Sequence, residues 1–177
     1  MMKKALMVSV VVALLAGCDS KQDAPFGLTW GQSMSKTQSQ YGEKIKCDDA
    51  SDSYAQCSFD GGNPFNEWID HGVIGFSDNK LSHVTIWFRG KNPDPLKSFL
   101  VHDVLLDKLN SEFSFLEKHG ADKNTLDIIR KKCTEFETCD DINESVTTDL
   151  GRVDIELKTT STTVIPTARI TYELIEE

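Results

Sequence analysis

An apolar segment at the start of the chain decides how much of the sequence has to fold. Two lysines, Lys3 and Lys4, are followed from Ala5 to Gly17 by 13 residues without a charge. A helix needs about 20 apolar residues to cross a bilayer, so this segment is too short for a permanent span. A basic start, a short apolar core and small residues at its end are typical of a secretory signal peptide. We therefore predict that residues 1–17 are a signal peptide.

The residues that close the apolar segment indicate the type of signal peptide. The sequence Leu15-Ala16-Gly17-Cys18 resembles the lipobox of bacterial lipoproteins, in which signal peptidase II cuts before the cysteine. The resemblance implies a diacylglycerol on the Cys18 sulfur and an acyl chain, such as palmitate, on the new amino terminus. Two or three acyl chains anchor a protein stably in a membrane. The alternative is an ordinary signal peptide in which Cys18 has no such role.

The residues after Cys18 indicate which membrane holds the lipid and where the folded domain begins. Asp19 resembles the inner-membrane retention signal of enteric-type lipoproteins. We therefore expect lipid attachment to the inner membrane, facing the periplasm, with the outer membrane as the alternative. Residues 18–25 are predicted to be a lipidated tether. The remainder, 26–177, is long enough to bury the core of one domain, and we predict a single periplasmic domain.

The charge of the chain limits its partners. Lysine and arginine number 19 against 28 aspartates and glutamates, a net charge of −9. Loss of Lys3 and Lys4 with the signal peptide would make the mature chain more negative still. Such a chain is repelled by phosphate backbones, so nucleic acid is not expected as a partner. A basic partner protein in the envelope fits this charge, and so does solubility alone.

The cysteines also indicate an oxidising compartment. If Cys18 is lipidated, the other four of the five cysteines form two local pairs, Cys47 with Cys57 and Cys133 with Cys139. Four cysteines allow three connectivities. We favour local pairing, because the first pair flanks a predicted strand–turn–strand and the second flanks a predicted helix end. Zinc sites usually space cysteines more closely and add histidine, so we predict disulfides and no metal.

The hydrophobic pattern predicts an α+β domain. Apolar residues recur at helical spacing from Leu96 to Leu116, and Gly120 follows as a C-cap. Segments 73–76 and 81–89 alternate as the arms of a hairpin. Most connections are too short for parallel crossovers. We predict an antiparallel sheet with one long helix and one or two short helices packed on one face. The other predicted elements are a short helix that Ser33 or Ser35 can cap and that Gly42 ends, a helix at 123–132, and strands at 45–47, 54–59, 153–158 and 164–175.

One stretch resembles the start of other envelope proteins. Phe26-Gly27-Leu28-x-Trp30-Gly31-x-Ser33, placed before a short helix, looks like the opening of many small bacterial envelope proteins. The strand–helix–strand outline is similar to the lipoprotein family of the outer-membrane assembly factor BamE and to the beta-lactamase-inhibitor-like fold. The resemblance implies a role in the envelope. It covers only the opening part of the domain and implies no functional residue.

The sequence offers little for catalysis. It contains no His-Glu-x-x-His, no Gly-x-Ser-x-Gly and no phosphate-binding glycine loop, so we expect no catalytic residue, no cofactor and no enzyme activity. The densest group of carboxylate, imidazole and aromatic side chains is the stretch from Glu67 to Gly72, which includes Trp68. An active site there would need partners from elsewhere in the fold. The alternative is a solvated loop whose Trp68 covers the edge of the sheet.

Binding is the function we favour. We predict a membrane-anchored, non-enzymatic protein-binding module, such as an immunity or inhibitor protein against an envelope-targeting toxin. The alternatives are an envelope-assembly accessory lipoprotein and a hydrolase of envelope polymers. The expected contact residues are Trp68, Glu67 and Asp70, because aromatic anchors dominate interface energetics and acidic charge speeds encounter with a basic partner. Trp87 is a second candidate anchor, unless it packs beneath the long helix.

Overall fold

The computed structural model describes residues 22–48, 53–89, 101–132, 142–158 and 167–175. The predicted signal peptide, the predicted lipidation site Cys18 and the predicted Cys133–Cys139 pair lie outside these ranges. The described residues form an α+β fold. Its helices are α1 (Met34–Tyr41), α2 (Val101–Lys118) and α3 (Lys123–Lys132). Its strands are β1 (Asp23–Ala24), β2 (Leu28–Thr29), β3 (Ile45–Cys47), β4 (Tyr54–Phe59), β5 (His71–Ser77), β6 (Lys80–Arg89), β7 (Ile142–Thr148), β8 (Gly151–Lys158) and β9 (Thr167–Glu173).

Seven of the strands form one antiparallel sheet. Their order is β3-β4-β5-β6-β9-β8-β7, and every neighbouring pair is antiparallel. The first four strands follow chain order, and β9 joins them to the β7–β8 hairpin by pairing with both β6 and β8. The remaining strands, β1 and β2, form a separate two-stranded ribbon. The predicted antiparallel sheet with helices is therefore confirmed.

The core lies between the sheet and its helices. In β6 the side chains of Val84, Ile86 and Phe88 are fully buried, and they alternate with residues on the opposite face, as the two-residue period of a strand requires. The apolar positions of α2 belong to the same hydrophobic cluster: Leu105, Leu109, Phe113 and Leu116. We call the side of the sheet away from this cluster the outer face. It includes Gln56, Ser58, Val73, Thr85, Trp87 and Thr171.

The helix ends show the sequence signals on which their prediction rested. Ser33 caps α1, because its hydroxyl accepts a hydrogen bond from the backbone N–H of Lys36 at 3.3 Å. After α2, the N–H of Ala121 donates to the carbonyl of Leu116 at 3.0 Å. The intervening Gly120 has a φ of +85°, a conformation that glycine adopts at little cost at a helix C-terminus. The predicted caps are confirmed.

The structure differs from the predicted elements in two places. Strand β7 was not predicted, since its sequence carries Glu144 at a position that faces the core side of the sheet. The folded part also begins before Phe26, the predicted boundary between tether and domain. Asp23 and Ala24 pair with Thr29 and Leu28, and Ala24 is buried. The backbone hydrogen bonds of this ribbon therefore shorten the predicted tether.

Candidate functional site

A disulfide joins Cys47 in β3 to Cys57 in β4. The two cysteines are directly paired across the strands, with their Cα atoms 3.8 Å apart. This confirms the predicted local pairing for the first pair. Disulfides persist in oxidising compartments such as the bacterial periplasm, so the bond agrees with export of the chain. It also fixes β3, the three-residue strand at one edge of the sheet.

Removal of this disulfide should weaken the fold. We expect the double variant Cys47→Ser/Cys57→Ser to lose about 2–3 kcal/mol of unfolding free energy, because a cross-link of this span restricts the unfolded chain. Urea unfolding of oxidised protein would measure the loss. A peptide digest under non-reducing conditions provides the control, since it must show Cys47 linked to Cys57. An unchanged urea midpoint at an unchanged slope would contradict the prediction.

The predicted contact residues of the 67–70 loop are drawn towards α2. The Trp68 indole N–H donates to the Glu112 carboxylate at 2.7 Å, and its ring packs against the core. The Asp70 carboxylate accepts from Lys108 Nζ at 2.6 Å and from the Arg89 backbone N–H at 2.7 Å. Glu67 is exposed. These contacts give Trp68 and Asp70 structural roles, and binding of a partner by the loop stays a prediction.

Glu112 is the centre of a buried polar cluster. Its side chain is fully buried and accepts hydrogen bonds from two sides, from Trp68 in the loop and from the Tyr172 hydroxyl in β9. The cluster therefore ties α2 both to the sheet and to the 67–70 loop. Asn66 lies beside it and favours the charged carboxylate, but the buried Asn66 Nδ2 has no aligned hydrogen-bond acceptor among the described residues.

Burial controls the protonation of this cluster. Loss of solvent raises the pKa of Glu112, and the hydrogen bonds from Tyr172 and Trp68 oppose the rise. Burial and the neighbouring carboxylate raise the pKa of Tyr172 well above its usual value. A carboxyl group with a raised pKa can serve as a general acid. Glu112, however, is enclosed by protein and lines none of the described cavities, so the cluster has the geometry of a structural bridge.

A serine and a histidine meet at a bulge in β6. The register between β5 and β6 shifts at Gly75, which lets Ser82 and His83 approach each other at 3.1 Å between Oγ and Nδ1. Burial lowers the pKa of His83, and Glu173 opposes the change. The Ser82 hydroxyl donates its proton to the carbonyl of Gly75 at 3.2 Å. Because that proton is directed away from the imidazole, the pair does not have the geometry of an activated nucleophile.

Two other histidines pair with single carboxylates. His71 Nδ1 lies 3.3 Å from Asp60, and His119 Nδ1 lies 2.9 Å from Asp149. The second pair joins the end of α2 to the β7–β8 turn, which gives His119 a structural role. Within the described ranges, no three histidine, cysteine, aspartate or glutamate side chains are placed to hold a metal ion. The side chain of the remaining histidine, His102, lies outside what the structure describes.

The strand registers place the side chains of the outer face in rows across the sheet. One row runs from His71 through Trp87 to Arg169. The next runs from Ser58 through Val73 and Thr85 to Thr171. Trp87 is half-buried and its ring stacks on His71, with 5.7 Å between the ring centres. Trp87 therefore lies on the side of the sheet away from the helices, and burial beneath α2 is ruled out.

The outer face has few charges over half of its width. Strands β3 to β6 contain no aspartate or glutamate, whereas the outer-face positions of β8 and β9 carry Asp154, Glu156 and Glu173. The centre of the β4–β6 part is formed by Gln56, Ser58, Val73, Thr85 and Trp87. Charged residues occur at its margin: Lys46, Asp60, Arg89 and Glu173. A centre with few charges and an aromatic residue, surrounded by a charged rim, is typical of protein–protein interfaces.

A polar cleft adjoins this surface at the β3–β4 side. Its cavity of about 420 Å³ is lined by Lys44 and Lys46 together with Asp60 and His71. Ser58, which belongs to the outer face, also lines it. The cleft therefore adds groups of both charges to the rim of the outer face. These groups can orient a partner whose main contact is with Trp87.

Two parts of this arrangement were missed from the sequence. Glu112 stands between Leu109 and Phe113 on the apolar side of α2, and a carboxylate at such a position signals a buried partner. The outer face of β4 and β5 could have been predicted, because these two strands contain no aspartate or glutamate although the chain as a whole is acidic. The residues that sequence reasoning favoured, Trp68 and Asp70, have the strong hydrogen bonds expected of a packed loop.

None of the helices in the described part of the chain has the length and apolarity that crossing a bilayer requires. Membership of the lipobox-bearing or BamE-like lipoproteins, which the sequence resembles, stays a prediction. Comparison of the chain with protein-family models, with curated proteins and with solved structures finds no match.

Proposed function

We propose that this chain is an exported, lipid-anchored module that binds another protein of the cell envelope and has no enzymatic role. The observation that supports binding most directly is the outer face of β4–β6, where few charges surround an aromatic residue. The Cys47–Cys57 disulfide supports export. The lipid anchor rests on Cys18 and the residues before it in the sequence.

Trp87 is the proposed anchor of this surface. It is half-buried, so part of its ring is available to a partner while its stack on His71 limits its motion. An aromatic side chain that is already held in place loses little conformational entropy on binding. The neighbouring Val73 and Thr171 are half-buried and give an uncharged surround. Such surrounds exclude water from the central contact.

Two kinds of partner fit this proposal. A toxin that acts in the envelope would make the chain an immunity or inhibitor protein. A component of an assembly machine would make it an accessory lipoprotein. The hydrolase alternative is the third candidate, and the Ser82–His83 geometry gives it no support. Identification of the partner would separate the first two.

Site-specific photo-crosslinking tests the surface in the full lipidated chain. A benzoylphenylalanine at Val73 or Thr171 samples the outer face, and the same probe at Ile128 samples the exposed side of α3. We expect a discrete crosslinked protein from the outer-face positions and none from Ile128. Adducts of the same protein from all three positions, or from Ile128 alone, would contradict the proposed surface.

The crosslinked partner then allows a quantitative test. We expect Trp87→Ala to weaken binding of the purified partner by about 2 kcal/mol or more, as alanine substitution at an interface hot spot does. Ile128→Ala is the matched control, because it also removes an exposed apolar side chain, and it should bind as the wild type does. Thermal unfolding must show that Trp87→Ala remains folded at the assay temperature. Unchanged affinity of the folded variant would remove Trp87 from the interface.

A further inference from the structure

The start of the folded part fixes one end of the domain close to Cys18. Gln22 is held by two hydrogen bonds, one from its side-chain Nε2 to the Asp149 carbonyl at 3.2 Å and one to its carbonyl from the Trp30 N–H at 3.0 Å. Three residues separate it from Cys18, so four residue-to-residue steps join the two positions. A chain of that length reaches about 14 Å at most when it is fully extended. If Cys18 carries the lipid, Gln22 stays within that distance of the bilayer surface.

The strand registers show what else lies at this end. Gln22 contacts the β7–β8 turn, and Arg152 at the start of β8 pairs with Glu173 at the end of β9. Glu173 pairs in turn with His83, near the start of β6. The β5–β6 turn therefore lies at the same end of the sheet. We call this the tether end, defined by Gln22, residues 78–79, residues 149–150 and residues 174–175.

Exposed apolar side chains concentrate at the tether end. Four large hydrophobic residues in the described ranges are classed as exposed: Tyr54 at 44%, Ile128 at 57%, Leu174 at 42% and Ile175 at 39%. Leu174 and Ile175 follow β9 directly. Tyr54 pairs with Ser77, next to the β5–β6 turn. Tyr54, Leu174 and Ile175 thus lie at the end that the tether would hold against the membrane, whereas Ile128 lies on α3.

An open depression brings two of these residues together. Leu174 and Ile175 line a cavity of about 790 Å³ with Lys80, Arg152 and Glu173. Apolar side chains beside a lysine and an arginine are suited to the interface of a bilayer, where the apolar part enters the headgroup region and the cation remains in water. Tyrosine is likewise enriched at that depth.

We infer that the tether end is a membrane-contacting surface, which docks on the lipid headgroups through Leu174, Ile175 and Tyr54. This inference rests on the proposed lipid anchor at Cys18, because the short tether brings these residues to the bilayer. The strands then rise away from the membrane, and β9 with its seven residues spans about 23 Å. The 67–70 loop and the polar cleft lie at the far end. The outer face stands upright and is open to a partner from the side.

Lipid nanodiscs can test this orientation with the full lipidated chain. Discs of phosphatidylcholine that contain a gadolinium-chelating lipid broaden the amide signals of residues close to the headgroups. We expect loss of signals from residues 78–80, 149–151 and 173–175, and retention of signals from residues 65–70 and 86–89. Equal broadening at both ends, or selective broadening at residues 65–70, would overturn the inference. Loss of the tether-end signals in discs without gadolinium would also overturn it, because that pattern indicates contact between copies of the chain.

Variants separate docking from the effect of the tether alone. The double change Leu174→Asp/Ile175→Asp should reduce the difference in broadening between the tether end and residues 65–70 and 86–89, because the domain then turns freely on its tether, whereas the matched control Ile128→Asp should keep the wild-type difference. An undiminished difference in the double variant would show that these side chains do not dock. The mass of the mature chain, measured in parallel, shows whether Cys18 is acylated. An unacylated chain would refute the proposed anchor, whereas an acylated chain with uniform broadening would refute only the docking.

Discussion

Replacement of Glu112 by alanine should lower the free energy of unfolding by about 3–5 kcal/mol, because each buried donor left without an acceptor costs roughly 1–3 kcal/mol. Two donors lose their acceptor in this variant, the Trp68 indole N–H and the Tyr172 hydroxyl. The loss of a filled position on the core side of α2 adds to the cost. Urea unfolding at neutral pH would measure the effect. A change below 1 kcal/mol would show that the cluster is dispensable.

The isosteric change Glu112→Gln is the matched control, and because glutamine does not titrate, comparison with the wild type isolates the pH dependence due to Glu112. The amide can still accept from Trp68, and its N–H₂ can donate to the Tyr172 hydroxyl. The pKa of Glu112 is higher in the folded chain than in the unfolded one. Its contribution to stability is therefore complete below the unfolded value and is lost as the pH rises through the folded value.

We thus expect the stability of the wild type, relative to Glu112→Gln, to fall as the pH rises above about 4.5, the ordinary value for glutamate. Comparison of the two proteins cancels the titration of the other carboxylates. Urea unfolding at several pH values between 4 and 8 would provide the comparison. A difference that grows in favour of the wild type over this range would show that Glu112 is stabilised in its charged form.

Trp30→Ala should destabilise the fold by about 3–5 kcal/mol, since truncation of a buried tryptophan removes its packing and leaves a cavity. Trp30 is only 3% exposed, and its indole N–H donates to the Leu150 carbonyl at 2.7 Å. The variant keeps the backbone bond from Trp30 to Gln22 but loses the indole bond to the β7–β8 turn. It should therefore loosen the β1–β2 ribbon from that turn as well as lower the overall stability.

Trp30→Phe distinguishes the two contributions. The phenyl ring keeps most of the packing but cannot donate a hydrogen bond, so we expect a loss of about 1–3 kcal/mol from the unsatisfied carbonyl. Thermal unfolding followed by near-ultraviolet circular dichroism would rank the three proteins. Equal stability of Trp30→Phe and Trp30→Ala would show that packing of the ring contributes little, against the burial seen here.

The parts of the fold that the sequence predicts are those set by neighbouring residues. The cap at Ser33, the glycine at 120 and the apolar period of α2 are local signals, and each corresponds to an observed helix end or face. The β5–β6 hairpin and the Cys47–Cys57 bond also join segments that are close in sequence. Local rules suffice in these cases, because the partner lies only a few residues away.

The candidate sites depend on partners that are distant in the chain. Glu112 meets Trp68 across 44 residues and Tyr172 across 60 residues, and no periodicity relates such positions. The prediction of an exposed Trp68 followed from its turn-rich loop, whereas the structure gives its indole a buried acceptor. Strand β7 was missed because Glu144 interrupts the row of apolar residues on its core side. In the structure this carboxylate is paired with Lys132 at 2.6 Å, a partner that the pattern of β7 alone does not reveal.

The place of β9 in the sheet has a consequence for biosynthesis. This strand follows all three helices in the chain, yet it lies between β6 and β8. Until residue 173 has left the ribosome, β6 and β8 each present an unpaired edge, and the chain is exposed to wrong pairing. Sheets that close through such long-range contacts fold slowly. The nascent protein therefore depends on protection of these two edges until β9 arrives.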